Sequence, residues 1–194
     1  MNNYAGYEIL DPDTWDPPDA GCTDGDGCRN SDAALIRHKK GMDAHLGRIA
    51  RPTSKNTGVI TIDSSDPEFI INRTRGWSVE GETLDKVGYA SGWTSGEVME
   101  GCEDISPSNY DETIMCVMTV AAEAKPGDSG APVFRKKSGN YVELRGVLFA
   151  GYPVSASDTC VNVPTPSCPA FAASNLGGII QDLDPDGYRD LTWY

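Results

Sequence analysis

Histidine is the scarcest chemically useful residue in this chain of 194 residues, with only His38 and His45 present. Basic residues are also in deficit: 16 Lys and Arg face 29 Asp and Glu, a formal charge of −13. A surface this acidic repels nucleic-acid phosphates and anionic membranes, so neither is expected as a partner. No apolar run approaches the ~20 residues that a helical membrane span needs. The first ten residues, MNNYAGYEIL, lack the basic start and continuous apolar stretch of an export signal. The cysteines form no tight Cys-x-x-Cys cluster, which argues against a zinc site. There is no internal repeat and no heptad pattern, and no cofactor is expected.

What is present reads as an all-β chain with a hydrophobic fraction of 39%, enough for a packed core. Runs at 58–63, 68–74, 83–90, 113–120, 131–134 and 141–151 have strand character, and Gly, Pro, Asn and Ser turns separate them at barrel or sandwich spacing. The segments 32–37 and 45–52 also read as strands, whereas the Asp-, Pro- and Gly-rich first 30 residues read as an irregular loop. One helix is expected near the C-terminus, capped by Ser174, with Leu176, Ile179, Ile180 and Leu183 at helical spacing. The six cysteines fall into three local pairs, Cys22–Cys28, Cys102–Cys116 and Cys160–Cys168. Six cysteines allow 15 pairings, so this grouping rests on proximity; disulfides imply an oxidising compartment.

Three motifs carry chemistry. Gly127-Asp128-Ser129-Gly130 is a turn whose glycines let backbone N–H groups converge on one point, and the strand-like Ala131–Phe134 follows it. Upstream, VGYASGWTSGEV (Val87–Val98) is a glycine-rich hairpin. Further upstream, RNSDAALI (Arg29–Ile36) sets Asp32 at the start of a strand. Taken singly these are a surface turn, a hairpin and a solvated aspartate. In this order they resemble the bacterial branch of the chymotrypsin-fold, trypsin-like serine peptidases, and the resemblance runs from about Cys22 to the C-terminal helix.

The resemblance implies a double β-barrel: residues 1–52 as the remnant of an incomplete first barrel and residues 53–194 as the second barrel with its helix. It implies Ser129 as nucleophile, Asp32 as the group that orients a histidine, and an oxyanion hole from the N–H groups of Gly127 and Ser129. It further implies that Asp128 is buried behind the loop and paired with a cation. Counting back six residues from the serine gives Glu123 as the base of the specificity pocket, where a carboxylate favours a basic side chain. Lys125 stands where the family has a half-cystine, and it could itself neutralise Glu123. Gly151 lies on the strand that would hold the substrate backbone. A secreted, monomeric enzyme acting on a protein or peptide substrate is the expectation.

The family order is His, Asp, Ser, yet only 31 residues precede Asp32 and none is histidine. His38 lies six residues beyond Asp32, ~20 Å along an extended strand, and both histidines are expected at the surface. The chain is therefore expected to be the C-terminal part of a longer peptidase, inactive without an upstream histidine. The alternative is a catalytically inactive trypsin-like fold that binds peptides. A calcium-dependent β-domain is a third class: Asp182–Gly187 matches the start of an EF-hand loop, but its twelfth position is Trp193, which offers no oxygen. A solvated acidic turn and no metal site are expected there.

Overall fold

A computed structural model describes residues 6–15, 22, 27–41, 45–106, 112–154 and 168–186. Eleven strands and one helix follow in chain order: β1 (Gly6–Leu10), β2 (Gly27–Arg29), β3 (Leu35–His38), β4 (Arg48–Ala50), β5 (Glu68–Thr74), β6 (Thr83–Gly88), β7 (Gly92–Ile105), β8 (Glu112–Val120), β9 (Pro132–Lys136), β10 (Tyr141–Val154), β11 (Cys168–Asn175) and α1 (Leu176–Leu183).

The central sheet runs β11-β8-β7-β6-β9-β10-β5-β4, and β10 also pairs with β11. That last pairing bends β11, β8, β7, β6, β9 and β10 round into a ring of antiparallel neighbours. Closure is only partial, since β6 and β9 meet over two residue pairs, Asp85↔Phe134 and Lys86↔Val133. Inward-facing side chains of the ring form one core, in which Leu84, Val98, Met118, Val120, Val133, Leu148 and Phe171 are buried. Burying each large apolar side chain contributes roughly 1.5–3 kcal/mol.

A second core lies outside the ring, where Phe69, Ile71, Phe134, Val142 and Leu144 meet Leu176, Ile179 and Leu183 of α1. The helix keeps the predicted apolar spacing, but Asn175 is its N-cap residue, and Ser174 belongs to β11. Gly178 weakens helix propensity yet is needed for packing: a Cβ there would stand 2.3 Å from the Asn30 carbonyl oxygen. Among the described residues no helix is long and apolar enough to cross a membrane.

The N-terminal strands attach in pieces. β4 pairs with β5, β2 runs parallel to β8, and β1 and β3 form a separate two-stranded sheet. Leu10 and Leu35 of that sheet, and Ala33 just before β3, pack partly buried against the second core. β1 corrects the reading of the first 30 residues as wholly irregular. The expected strand at 58–63 is also corrected: it is a loop with a single bridge, Pro52↔Ile62. Thr53 N–H donates to Thr61 and Asp63 N–H to Arg51 around this bridge, but the Arg51 N–H turns to the Pro67 carbonyl, so no ladder extends, and Ile60 and Ile62 remain exposed.

Two expected disulfides are formed, Cys22–Cys28 and Cys102–Cys116. The expected Cys160–Cys168 pair falls outside the described residues, apart from the backbone of Cys168 in β11.

Candidate active site

The Gly127–Gly130 loop lies between β8 and β9. Gly127 and Gly130 adopt φ of +102° and +86°, a backbone that other residues reach only with strain. Asp128 points inward and is buried, and its carboxylate is saturated. Oδ2 accepts from Lys86 Nζ (2.8 Å), Ser91 Oγ (2.6 Å) and the Lys125 amide (3.0 Å). Oδ1 accepts from the amides of Ala90 (2.8 Å) and Ser91 (3.1 Å). Lys86 Nζ also donates to Ser91 Oγ. Burial alone would raise the Asp128 carboxyl, but the Lys86 ammonium and these donors outweigh it and hold the group well below the ordinary carboxylate range. The side chains of Asp128 and Lys86 are both fully buried.

The sequence expectation of a buried cation behind the loop thus finds its residue in Lys86, which sequence reasoning had not singled out. The β6–β7 hairpin is what brings it there, together with Ser91 and the Ala90 amide. Gly88 makes the approach feasible, since a Cβ at that position would lie 2.2 Å from Asp128 Oδ1.

Around this anchor the loop's amides divide into two sets. Asp128 N–H donates to the Lys125 carbonyl, Gly130 N–H to Leu148 and Ala131 N–H to Asp128, at 2.8–2.9 Å, while Lys125 N–H is held by the Asp128 carboxylate. The Gly127 and Ser129 N–H groups have no acceptor among the described residues. Both residues are exposed. Ser129 Oγ donates to the Phe149 carbonyl at a long 3.4 Å.

Phe149 belongs to the part of β10 that pairs with β11 on one side, Gly151 opposite Phe171. β9 covers the other side only as far as Val147, so beyond it β10 presents an edge without a strand partner among the described residues. Ala124 lies against that edge, 3.2 Å from where a Gly151 Cβ would stand. Glu123 and Lys125 form a half-exposed ion pair at 3.0 Å, and the Glu123 carbonyl accepts from Thr94 Oγ1.

Asp32 is exposed, in the bend before β3. Its amide donates to the buried Ser174 Oγ at 2.9 Å. The two residues before it are clamped by Asp182 of α1: Oδ1 accepts from the Asn30 amide and from Asn30 Nδ2, and Oδ2 from Ser31 Oγ. Asp182, weighed on sequence as the first position of a calcium loop, instead ties the helix to the Asp32 segment. Gly187 and Trp193 of that loop lie outside the described residues. Among the described residues no three His, Cys, Asp or Glu side chains converge as metal ligands. His38 is exposed on β3, opposite Gly6. His45 is 65% exposed, with Nδ1 3.2 Å from Glu68 Oε1. Neither ring is hydrogen-bonded to Asp32 or Ser129.

No family model and no curated protein matches the sequence. Solved structures do match. A glutamic-acid-specific serine protease, described as using a histidine triad in substrate binding, aligns with a TM-score of 0.53 at 13% identity, over 78% of this chain and 65% of that one. Thermobifida fusca protease A and a Nocardiopsis protease each give 0.51 at 16% identity, with the same two coverages. At such identity the likeness concerns the fold, and the fold is the chymotrypsin-like fold of bacterial serine proteases. The chain spans about 65% of the length of these structures.

Proposed function

We propose that this chain carries the nucleophile and oxyanion hole of a serine endopeptidase. The observation that supports the reading best is the pair of amides at Gly127 and Ser129, left without acceptors in a loop whose other donors are all taken. In this reading Ser129 Oγ attacks the scissile carbonyl and the new oxyanion accepts hydrogen bonds from those two N–H groups. Asp128, neutralised by Lys86, fixes the loop so that the donors need not reorganise during reaction. The substrate strand lies along the edge at Phe149–Gly151. Glu123 forms the floor of the acyl-side pocket, with Lys125 offsetting its charge, so selection for a basic side chain is weak.

Asp32 orients the histidine that takes the Ser129 proton, and the base is neither His38 nor His45. Residues 1–52 then act as part of a first barrel and residues 53–194 as the second. The substrate is a protein or peptide, the protein acts as a monomer, and the disulfides suit a secreted enzyme.

A second reading, a peptide-binding module on the same fold, is favoured by one observation: neither histidine is bonded to Ser129 or Asp32. Treatment with p-nitrophenyl acetate separates the two. The acetyl group passes to Ser129 Oγ, p-nitrophenolate leaves, and the serine proton goes to solvent. Peptide mapping by mass spectrometry is expected to find Ser129 acetylated faster than the other serines of the chain, because oxyanion donors without a base still retain roughly 10³-fold over water. Acetylation no more selective than in the urea-denatured chain would contradict a nucleophilic role.

A further inference from the structure

Tyr89 is 82% exposed, the most exposed large apolar side chain among the described residues. A lone exposed aromatic is ordinary; what sets this one apart is where its backbone is held. It sits in the turn between β6 and β7, and the next two amides, Ala90 and Ser91, both donate to Asp128 Oδ1. The residue before it, Gly88, lies against the same carboxylate. Gly92 ends the turn at φ +67°, so close to the Val59 carbonyl that a Cβ would stand 2.4 Å from it. The carboxylate that fixes the Gly127–Ser129 amides therefore also fixes the platform under Tyr89.

The two flanks of Ser129 differ. On one, Oγ meets the Phe149 carbonyl and the edge continues to Gly151 and Ala124. On the other, Gly127 faces the turn, with Ala90 Cβ 3.5 Å from a Cβ placed on Gly127. A peptide whose acyl half lies along Phe149–Gly151, and whose carbonyl meets both free amides, continues past Gly127 toward this turn.

Resting on the peptidase reading, we infer that Tyr89 forms the leaving-group-side contact of the site and selects an apolar or aromatic side chain just after the scissile bond. The ring supplies a rigid apolar face with a polar tip, and its mounting costs little entropy on binding because the turn is already ordered.

The test uses the whole 194-residue chain, isotope-labelled for NMR, and pseudopeptides in which a ketomethylene group replaces the central amide. Both pools share a randomised acyl half; one carries Phe directly after the isostere and the other Gly. Both pools are expected to move the Gly127 and Ser129 amide signals, and the Phe pool alone to move the Tyr89 ring signals. Tyr89→Ala is expected to weaken the Phe pool by roughly 3–10-fold while leaving the Gly pool within about 2-fold, and Tyr89→Phe to retain most of the preference. Movement at Gly127 and Ser129 with equal affinity of both pools for wild type and Tyr89→Ala overturns this inference alone. No movement at Gly127 or Ser129 with either pool overturns the peptidase reading and this inference with it.

Discussion

The Ser129 loop and the Asp32 segment are held in opposite ways. Ser129 sits on a loop anchored from within: Asp128 is buried and takes five donors, from Lys86, Ala90, Ser91 and Lys125. Asp32 is anchored from its flanks. Its amide and the two preceding residues are tied to Ser174 and Asp182, while the residue itself stays exposed. One closed polar network fixes the first region, whereas the second depends on how α1 docks. The Ser129 loop is thus fixed by the ring's core and one buried ion pair, with no hydrogen bond from either histidine.

The strongest way to break the contrast is Asp128→Ala. It leaves Lys86 buried without its counter-charge, and losing one partner of a buried pair costs about 3–5 kcal/mol. Urea unfolding should show that loss, and the surviving folded protein should lose selective acetylation at Ser129. Acid acts on the same group. The folded-state carboxyl is held below its ordinary value near 3.9, so its stabilisation is complete above about pH 4. As pH falls further the unfolded chain takes up the proton first, and stability drops until the folded-state carboxyl also titrates. Glu143 adds in the same direction: burial raises it, but Lys137 and Arg145 bring it below its ordinary value. Melting temperatures between pH 6 and 2.5 should fall below about pH 4, and Asp128→Asn, already less stable, should fall less steeply.

Much of the Ser129 region was legible in the sequence, because glycines at fixed offsets encode backbone shape directly. The hairpin and the Gly-Asp-Ser-Gly turn announced themselves through residues that admit positive φ. Lys86 did not, since a single lysine in a strand carries no mark of burial until a carboxylate 42 positions away is folded onto it. The run Gly58–Asp63 misled for the opposite reason. Its β-branched residues have strand propensity, but beyond the single Pro52 bridge the Arg51 amide is already taken by the Pro67 carbonyl, and propensity without a continuing partner makes no sheet. Asp182 was visible as part of an acidic run, yet its role depends on Asn30 and Ser31, which are distant in sequence and contribute ordinary polar groups.

The Asp32 side is sharpened by Asp182→Ala, which strips Asn30 and Ser31 of their acceptor and should cost about 2 kcal/mol. Hydrogen exchange should quicken at Asn30 and Asp32, while the amides of Asp128 and Gly130 keep their protection. The smallest effect belongs to Lys125→Ala. Its half-exposed pair with Glu123 should contribute no more than about 1 kcal/mol, so unfolding midpoints should hardly move.

The central claim is that Ser129 and its donors are organised without a base from His38 or His45. The most direct measurement is the pH dependence of Ser129 acetylation in wild type and in His38→Ala/His45→Ala. The account predicts coincident rates and no inflection near pH 6.5, the ordinary histidine range. A sigmoidal rise centred between pH 6 and 7 that disappears in the double variant would contradict it and make one of the two histidines the base.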